Sequence, residues 1–182
     1  SSPVQLIHPE TLEEDDPEDF LQAVHRVKEH IAAGNVYQAN ISRRWRTRLM
    51  PAVQPWMIYR RLRQTNPAPF AGLALLDGCA ILSSSPERLV QFDQTRIATR
   101  PIAGTRPRRG PAGSEPLHQA ELLANPKERA EHVMLIDLER NDLGRICRPG
   151  TVRVDELMAI ESYAHVHHIV SGISGELRSG VR

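Results

Sequence analysis

The sequence contains little cysteine, and its positive and negative charges almost cancel. Cys79 and Cys147 are the two cysteines, and they lie far apart in the 182-residue chain. Two distant thiols predict free cysteines in a reducing compartment and argue against a disulfide framework. The 23 basic and 22 acidic residues give a formal net charge of +1. This balance argues against a nucleic acid or an anionic membrane surface as the partner.

Long apolar runs, internal repeats and low-complexity segments are missing as well. No apolar run reaches the roughly 18 residues of a membrane span, and residues 1–10 lack a signal-peptide pattern. We therefore expect a cytoplasmic protein. A chain of this length has room for one domain with a sizeable core.

The most informative stretch runs from Ser83 to Thr105. A buried strand over 80–82 is predicted to end in three serines and a proline, which places Glu87 at a strand terminus. A hairpin follows, and Pro101 and Gly104 then bracket a loop whose backbone can approach a ligand, because glycine has no Cβ. The pattern brings one carboxylate and one glycine–threonine loop to the same end of a sheet. A plain hairpin with a surface glutamate is the alternative interpretation.

Helix and strand patterns continue on both sides of this stretch. Asp16 as N-cap and Pro17 at the first helical position predict a helix that Gly34 ends. Residues 1–16 are polar and acidic, and we interpret them as a linker or disordered arm. Further predicted elements are a strand over 36–45, a helix over 55–64, strands 71–76 and 79–82 around an Asp77-Gly78 turn, a hairpin of 88–92 and 97–100 turning at 93–94, and a strand over 151–157.

Two groups of arginines each allow a functional and a plain interpretation. The first, over 43–48, is either a phosphate or nucleic-acid patch or a solvated strand edge, and the near-zero net charge favours the edge. The second comprises Arg106, Arg108 and Arg109 in a loop predicted over 105–115, among prolines and glycines. This loop either closes over a dianionic substrate or is simply solvated.

A further motif lies on a helix predicted to begin at Asn125-Pro126. Glu128 and Glu131 are three residues apart and therefore share one face. Their like charges repel by roughly 0.2–0.5 kcal/mol, which a bound divalent cation would reverse, although a solvated face is the commoner case. The helix is expected to end in a polar turn over 137–144.

Histidines cluster at His165, His167 and His168. On the strand predicted there, His165 and His167 share one face and His168 takes the other. Zinc requires three or four ligands at suitable spacing, and neither cysteine lies near these histidines in sequence. A single histidine that faces a ligand is therefore favoured over a metal site.

These motifs, in this order, resemble the chorismate-utilising enzymes, which include anthranilate synthase component I, aminodeoxychorismate synthase component I, isochorismate synthase and salicylate synthase. The resemblance is carried above all by Ser85-Pro86-Glu87-Arg88 and Pro101-Ile102-Ala103-Gly104-Thr105. It implies an α+β fold in which antiparallel sheets pack face to face with helices outside. Residues 17–182 would then form the N-terminal portion of a chorismate-binding domain whose C-terminal portion is absent.

The resemblance also implies roles for individual residues. Glu87 is expected to be the general acid that protonates the departing C4 hydroxyl of chorismate, since hydroxide is a poor leaving group. Glu131 and its neighbour Glu128 are expected to ligate Mg²⁺, which prefers oxygen ligands and keeps several waters. The remaining expected site residues are the catalytic His168 beside the substrate ring, and Ala103, Gly104 and Thr105 under the substrate carboxylate.

Two signals conflict over which member of the family the chain resembles most. Tyr37-Gln38-Ala39-Asn40, Ala68-Pro69-Phe70 and Val166-His167-His168 resemble aminodeoxychorismate synthase. Many of those enzymes carry a lysine nucleophile where this chain has Ala103, and alanine cannot attack C2 of the substrate. We expect amination of chorismate to 4-amino-4-deoxychorismate, with ammonia from a glutamine amidotransferase subunit. Formation of anthranilate, by ammonia attack at C2, is the alternative that Ala103 favours.

A second departure from the family concerns later motifs. The later part of the family's domain supplies a Gly-Ala-Pro-Lys stretch and further metal-ligating glutamates, and this sequence has no such stretch. We therefore expect an internal segment of a longer protein, without a complete site of its own. A non-catalytic binding or assembly module that keeps half of the cleft is the competing hypothesis from another class.

Overall fold

A computed structural model describes residues 12–108 and 115–181. The chain divides into two compact units, with the boundary between residues 58 and 59. The helices are α1 (Pro17–Ala32), α2 (Pro55–Thr65), α3 (Glu115–Ala124) and α4 (Pro126–Ile146). The strands are β1 (Glu13–Glu14), β2 (Trp45–Arg46), β3 (Phe70–Leu76), β4 (Cys79–Ser85), β5 (Arg88–Asp93), β6 (Arg96–Arg100), β7 (Ile102–Pro107), β8 (Arg153–Ser162) and β9 (Val166–Glu176). The predicted α+β class with antiparallel sheets is confirmed.

In the first unit, α1 begins where the sequence predicts. The Asp16 carboxylate accepts a hydrogen bond from the Glu18 N–H at 2.8 Å, and Pro17 opens the helix, where a missing N–H costs nothing. Gly34 follows the helix with φ +74°, a conformation that favours glycine. The cap and the stop signal therefore act as the pattern indicates.

The strand predicted over 36–45 is wrong. Only Trp45–Arg46 is a strand there, and it pairs with Glu13–Glu14, while Tyr37 is 80% exposed. Alternating apolar residues form a strand only where a partner strand pairs with them, and β1 pairs two residues. The linker predicted over 1–16 falls mostly outside the described residues, and its described part includes β1.

The basic run of the first unit lies beside acidic residues. Arg43 contacts Glu14 at 3.1 Å, and Arg44 contacts Asp15 at 3.4 Å. Exposed ion pairs of this kind contribute about 0–1 kcal/mol each. The arrangement agrees with the interpretation of this run as a solvated edge.

The second unit begins with the hairpin that Asp77-Gly78 predicts. β3 and β4 pair along their whole length, and Gly78 has φ +74° in the turn between them. β4 is longer than predicted, because Ser83–Ser85 pair with β3 instead of ending the strand. The β5–β6 hairpin turns at Gln94 and Thr95, one residue later than predicted.

Strand β9 is the centre of a five-stranded sheet. β8 pairs along one of its edges, and β6 and β7 follow one another along the other. Pro101 separates β6 from β7 and has no N–H to donate, but its carbonyl accepts a hydrogen bond from the Ser171 N–H at 3.3 Å. β6 and β7 therefore act as one edge, interrupted at a proline that stays bonded to β9 through its oxygen.

Helices α3 and α4 cover one face of this sheet. Ile173 of β9 lies in a buried cluster with Ile136 and Leu143 of α4 and with Cys147. Burying such aliphatic side chains stabilises the fold by about 1.5–3 kcal/mol each. The core of the second unit thus lies between β9 and α4.

Core packing also explains where the prediction for α4 is wrong. The polar turn expected over 137–144 is helical, and α4 continues to Ile146. Leu143 is 3% exposed, so burial of its side chain overrides the weak helix propensity of its polar neighbours. Asp137 and Arg140 pair at 3.1 Å on the surface of this helix.

Two more elements differ from the expected pattern. α3 has no counterpart among the predicted elements, and β8 covers 153–162 where a strand over 151–157 is expected. Within β8, Met158 has φ 50° at an irregularity in the pairing with β9. Among the described helices, none has the length and apolar character needed to cross a membrane.

The contact between β9 and Cys147 yields a stability prediction. A Cβ added at Gly175 would lie 2.6 Å from the Cys147 Sγ and 3.2 Å from Val152 Cγ2. We expect Gly175→Ala to lower the free energy of unfolding by about 1–3 kcal/mol, because overpacking forces neighbouring atoms to move. Urea denaturation monitored by circular dichroism measures the change.

Gly144→Ala is the matched control. Gly144 lies in α4, and nothing lies within 4 Å of an added Cβ. Alanine should raise the free energy of unfolding there by about 0.5–1 kcal/mol, since it has the higher helix propensity. Equal effects of the two substitutions would contradict the packing of Gly175 against Cys147.

Candidate functional site

Glu87 lies in the turn between β4 and β5. Glu87 is exposed to solvent. Its Oε1 accepts a hydrogen bond from the Ile102 N–H at 3.0 Å. The Ser85 hydroxyl accepts from the Glu87 N–H at 3.2 Å and donates to the Glu87 carbonyl at 3.3 Å, which fixes the turn. The structure therefore brings the Glu87 carboxylate to the beginning of β7.

Ala103, Gly104 and Thr105 lie in strand β7, and not in the loop that the sequence predicts. The pairing with β9 is irregular there, because the register passes from Ile102↔Val170 to Thr105↔His168. Two residues of β7 thus face one residue of β9, which is the pattern of a β-bulge. From the sequence, Pro101 and Gly104 indicate an irregular backbone here. They do not indicate how that backbone pairs with β9.

Gly104 is the residue on which this bulge depends. It has φ +98°, and an added Cβ would lie 3.1 Å from Ile169 Cδ1, 3.2 Å from Leu122 Cδ1 and 3.3 Å from Glu128 Oε2. Both the backbone conformation and the tight surroundings favour glycine. Protein atoms therefore fill the side of Gly104 where the Cβ would lie, and close approach to a ligand stays a prediction.

Thr105 and His168 are neighbours across the two strands. The Thr105 hydroxyl and His168 Nδ1 are 2.9 Å apart. The His168 ring packs edge-on against the Tyr163 ring, with 5.4 Å between the ring centroids. Burial lowers the pKa of His168, although the Gly104 carbonyl and the carboxylates of Glu161 and Glu87 act in the opposite direction. His168 is therefore a neutral imidazole at neutral pH.

The three clustered histidines have separate surroundings. His165 precedes β9, where its Nε2 lies 2.7 Å from the Thr65 carbonyl oxygen, so the predicted sharing of a strand face with His167 is wrong. His167 is fully buried, with Nδ1 2.8 Å from the Ser162 hydroxyl. The described residues hold no group of three or more His, Cys, Asp and Glu side chains placed to bind a metal ion.

Glu128 lies in the first turn of α4, beside the bulge. Asn125 caps the helix by accepting hydrogen bonds from Lys127 N–H at 3.0 Å and Glu128 N–H at 3.2 Å, as its position predicts. Glu128 Oε1 accepts from Arg106 at 3.0 Å, and Oε2 is the oxygen that faces Gly104. Arg106 also donates to the Thr105 carbonyl at 2.8 Å, so one guanidinium joins β7 to α4.

Glu131 follows Glu128 on the same face of α4 and is half-buried. Mg²⁺ usually takes one or two protein carboxylates and completes its six oxygen ligands with water and substrate. Glu128 and Glu131 therefore offer a donor set that fits Mg²⁺, whereas a structural metal enclosed by protein would need more ligands than the described residues place together.

The second group of arginines is only partly described. Arg106 belongs to β7 and pairs with Glu128. Arg108 contacts Glu115 at 3.0 Å and donates to the Tyr163 carbonyl at 2.9 Å. Arg109 lies outside the described residues, so closure of this loop over a dianion stays a prediction.

Two carboxyl groups that no motif indicates lie close to the site. Glu139 of α4 is half-buried, and burial raises its pKa, with nearby Glu87 acting in the same direction. Glu161 of β8 contacts Arg100 through the guanidinium Nε at 3.1 Å and accepts a hydrogen bond from the Tyr163 hydroxyl. Burial and this bond raise the pKa of Tyr163 to about 12. A cavity of about 260 Å³ lies beside Glu161 and Tyr163, and its other lining residues include Pro86, Arg88, Arg100 and Ile102.

His132 is fully buried, although no sequence motif indicates a role for it. Its Nδ1 lies 3.1 Å from the Ala103 carbonyl oxygen, and its Nε2 lies 2.7 Å from the Ser171 hydroxyl. Burial lowers the pKa of His132, although the bond to Ala103 opposes the shift. The helix spacing could have indicated the position of His132. It is four residues after Glu128 and four before the core residue Ile136, so the three share one face of α4.

The two neutral histidines predict a loss of stability in acid. Because burial lowers the pKa of His132 and of His168 below the ordinary 6.5, the unfolded chain binds more protons than the folded chain below that pH. The stability is therefore complete above pH 6.5 and falls as the pH decreases below it. Urea midpoints measured between about pH 7.5 and about pH 5 should decrease steadily.

His132→Asn tests the origin of this slope. The substitution removes one titrating group, so the loss of free energy with pH should become shallower, by at most about 1.4 kcal/mol per pH unit. His25→Asn, at an exposed position of α1, is the control for losing any histidine. An unchanged slope in the His132 variant would contradict a neutral buried imidazole.

Comparison with known proteins agrees with the resemblance. A family model described as chorismate binding enzyme matches residues 3–182. Aminodeoxychorismate synthase component 1 of Bacillus subtilis (strain 168) is 50% identical over 161 residues, which are 88% of this chain and 34% of that protein. Anthranilate synthase component 1 of Aquifex aeolicus (strain VF5) is 47% identical over 163 residues, with coverage of 90% and 33%.

Solved structures give the same result. Anthranilate synthase component I from Streptococcus pneumoniae TIGR4 superposes with a TM-score of 0.81 at 30% sequence identity, over 94% of this chain and 38% of that one. The chain thus spans about a third of the length of the curated relatives named above. Since the family model covers nearly the whole sequence, this chain belongs to the family of chorismate binding enzymes.

Proposed function

We propose that this chain is part of a cytoplasmic enzyme that aminates chorismate to 4-amino-4-deoxychorismate. The observation that supports it best is the hydrogen bond from Ile102 N–H to Glu87 at 3.0 Å. This bond puts the proposed acid at the start of β7, the strand that also holds Gly104 and Thr105. The identity of 50% to an aminodeoxychorismate synthase component 1 supports the choice of product.

Glu87 is the proposed general acid. Its Oε1 accepts the Ile102 N–H, so Oε2 is the oxygen that carries the proton in the acid form. In the reaction, that proton passes to the C4 hydroxyl of chorismate, the C4–O bond breaks, and water leaves. The backbone bond to Ile102 orients the carboxyl group without occupying the oxygen that reacts.

Glu131 and Glu128 are the proposed Mg²⁺ ligands. When bound, the ion supplies positive charge that holds the substrate carboxylate and stabilises negative charge as it develops. The contact of Arg106 with Glu128 Oε1 fixes the orientation of this carboxylate, with Oε2 towards Gly104. The chain therefore orients Glu128 before an ion arrives.

His168 and the bulge of β7 are the proposed contacts of the substrate. His168 is neutral, so its ring adds no positive charge beside Glu161 and Glu87. Thr105 Oγ1, 2.9 Å from His168 Nδ1, fixes the plane of the ring. Because Gly104 has no Cβ, its backbone is the proposed contact of the substrate carboxylate.

The amine would come from a partner subunit. Component I proteins are named as one part of an assembly, and we propose that a glutamine amidotransferase subunit delivers ammonia to this one. Ammonia forms the new C–N bond while Glu87 protonates the leaving hydroxyl. The atoms balance as chorismate plus ammonia giving aminodeoxychorismate plus water.

Ala103 favours anthranilate as the second candidate product. Its side chain is a buried methyl group, 6% exposed, and offers no nucleophile for a covalent intermediate at C2. Without such an intermediate, direct attack of ammonia at C2 is the simplest route, and it leads towards anthranilate. The choice between the two products therefore depends on whether ammonia reaches C4 or C2.

Glu87→Gln tests the acid role in a full-length parent protein that contains this chain. Glutamine keeps the shape and still accepts from Ile102 N–H, but it has no acidic proton. Turnover of chorismate should decrease by about 10²- to 10⁴-fold, while the urea midpoint stays unchanged. A kcat near that of the parent would exclude Glu87 as the acid.

Asp137→Asn is the control for charge removal. Asp137 lies on the exposed surface of α4 and contacts Arg140. Its loss should leave turnover within about twofold of the parent, since exposed ion pairs contribute little.

A product assay separates the two candidate reactions. The parent protein is incubated with chorismate, Mg²⁺ and ammonium, and the products are separated by chromatography. We expect 4-amino-4-deoxychorismate to accumulate. Fluorescent anthranilate as the sole product would overturn this choice and favour attack at C2.

A further inference from the structure

A chain of hydrogen bonds runs through the protein interior to the carbonyl of Ala103. The Met158 N–H donates to the Ser171 Oγ at 2.8 Å. The Ser171 hydroxyl lies 2.7 Å from His132 Nε2, and His132 Nδ1 lies 3.1 Å from the Ala103 oxygen. His132 and Ser171 are both 0% exposed, so water does not replace any of these bonds.

One placement of protons satisfies the whole chain. A carbonyl oxygen only accepts, so Nδ1 must carry the proton that faces Ala103. The Ser171 oxygen accepts a hydrogen bond from the Met158 N–H, and its hydroxyl proton can be donated to an unprotonated His132 Nε2. The His132 Nδ1–H is therefore the donor to the Ala103 carbonyl, with Nε2 held by Ser171.

The accepting carbonyl lies in the irregular part of β7. Ala103 and Gly104 face one residue of β9, so regular strand pairing does not set the orientation of the peptide between them. The bond from His132 turns the Ala103 carbonyl towards α4. Because the described peptide bonds are trans, the Gly104 N–H then points away from α4.

We propose that His132 is a positioning residue for the substrate contact at Gly104 and Thr105. Through Ser171 and Met158, its Nδ1–H fixes the peptide that joins Ala103 to Gly104, and so fixes the backbone on which the proposed contact depends. His132 does not touch the substrate. The identity of the substrate rests on the proposed function. The hydrogen bonds from Met158 to Ala103 are present in the protein whatever its substrate is.

Nitrogen NMR of this chain tests the tautomer without a substitution. Long-range proton–nitrogen spectra of ¹⁵N-labelled protein at neutral pH should show a protonated Nδ1 and an unprotonated Nε2 for His132. A His132 ring whose Nδ1 carries no proton would overturn the proposal. This measurement does not involve chorismate, so its result is independent of the proposed function.

Variants in the full-length parent protein separate positioning from packing. His132→Asn keeps a donor near the Ala103 carbonyl, whereas His132→Phe fills the space without one. We expect the Phe variant to raise KM for chorismate by about ten- to a hundredfold with a smaller change in kcat, and the Asn variant to recover most of that loss. Equal KM values for the two variants, or a Phe variant like the parent, would contradict a positioning role.

Ser171→Ala is the second variant, for the case in which His132→Phe does not fold. It removes the donor to Nε2 and leaves the His132 Nδ1–H in place. KM should increase less than in the Phe variant, and the ¹⁵N spectrum should show a second tautomer of His132. If the Ser171→Ala variant keeps a single Nδ1–H tautomer of His132 and an unchanged KM, the hydrogen bonds from Met158 through Ser171 do not orient the His132 ring. If the parent consumes no chorismate, the proposed function fails, and the NMR result alone decides the proposal.

Discussion

The bulge of β7 against β9 is the constraint on which the site depends. Two residues of one strand face one residue of the other, and the backbone groups released from regular pairing need other partners. His132 donates to the Ala103 carbonyl from below, and the Gly104 carbonyl lies beside the His168 ring. The positive φ of Gly104 allows both contacts within two residues. Every proposed site residue takes its position from this strand or from an element bonded to it.

The electrostatics of the site follow from the same arrangement. Both histidines beside the bulge are kept neutral by burial, so the positive charge near β7 comes from arginines. Arg106 is paired with Glu128, and Arg100 is paired with Glu156 and Glu161. Because a charge-assisted pair with arginine fixes the position of a carboxylate, these carboxylates are oriented before any ligand binds. The Arg106–Glu128 pair joins β7 to α4 beside the buried, neutral His132, so charged and neutral groups meet on that side of the strand.

Local signals in the sequence predict the parts of the fold that local physics determines. Asp16 and Asn125 cap the helices where the pattern indicates, and Gly78 forms the predicted turn, because each effect involves residues a few positions apart. The strand expected over 36–45 needs a long partner, and the turn expected over 137–144 is helical because of a distant core. The helix spacing indicates that His132 lies on the buried face of α4, but its two partners, Ala103 and Ser171, are 29 and 39 residues away and could not be predicted. Motifs indicate the residues of the proposed site, whereas the bulge and the hydrogen bonds behind it depend on contacts distant in sequence.

The carboxyl groups around β7 differ in environment, and this difference limits what each can do. Glu139 has the surroundings that favour a protonated acid, because burial and the nearby Glu87 raise its pKa. However, Glu139 lies on α4 beside Thr99, on the strand before the bulge. Glu87 is exposed and bonded to the first residue of β7, so its case as the acid rests on position and not on burial. An acid must lie within hydrogen-bond reach of the leaving oxygen, and geometry comes before pKa in choosing between candidates. On that criterion we propose Glu87 as the donor, because its carboxylate lies at the first residue of β7.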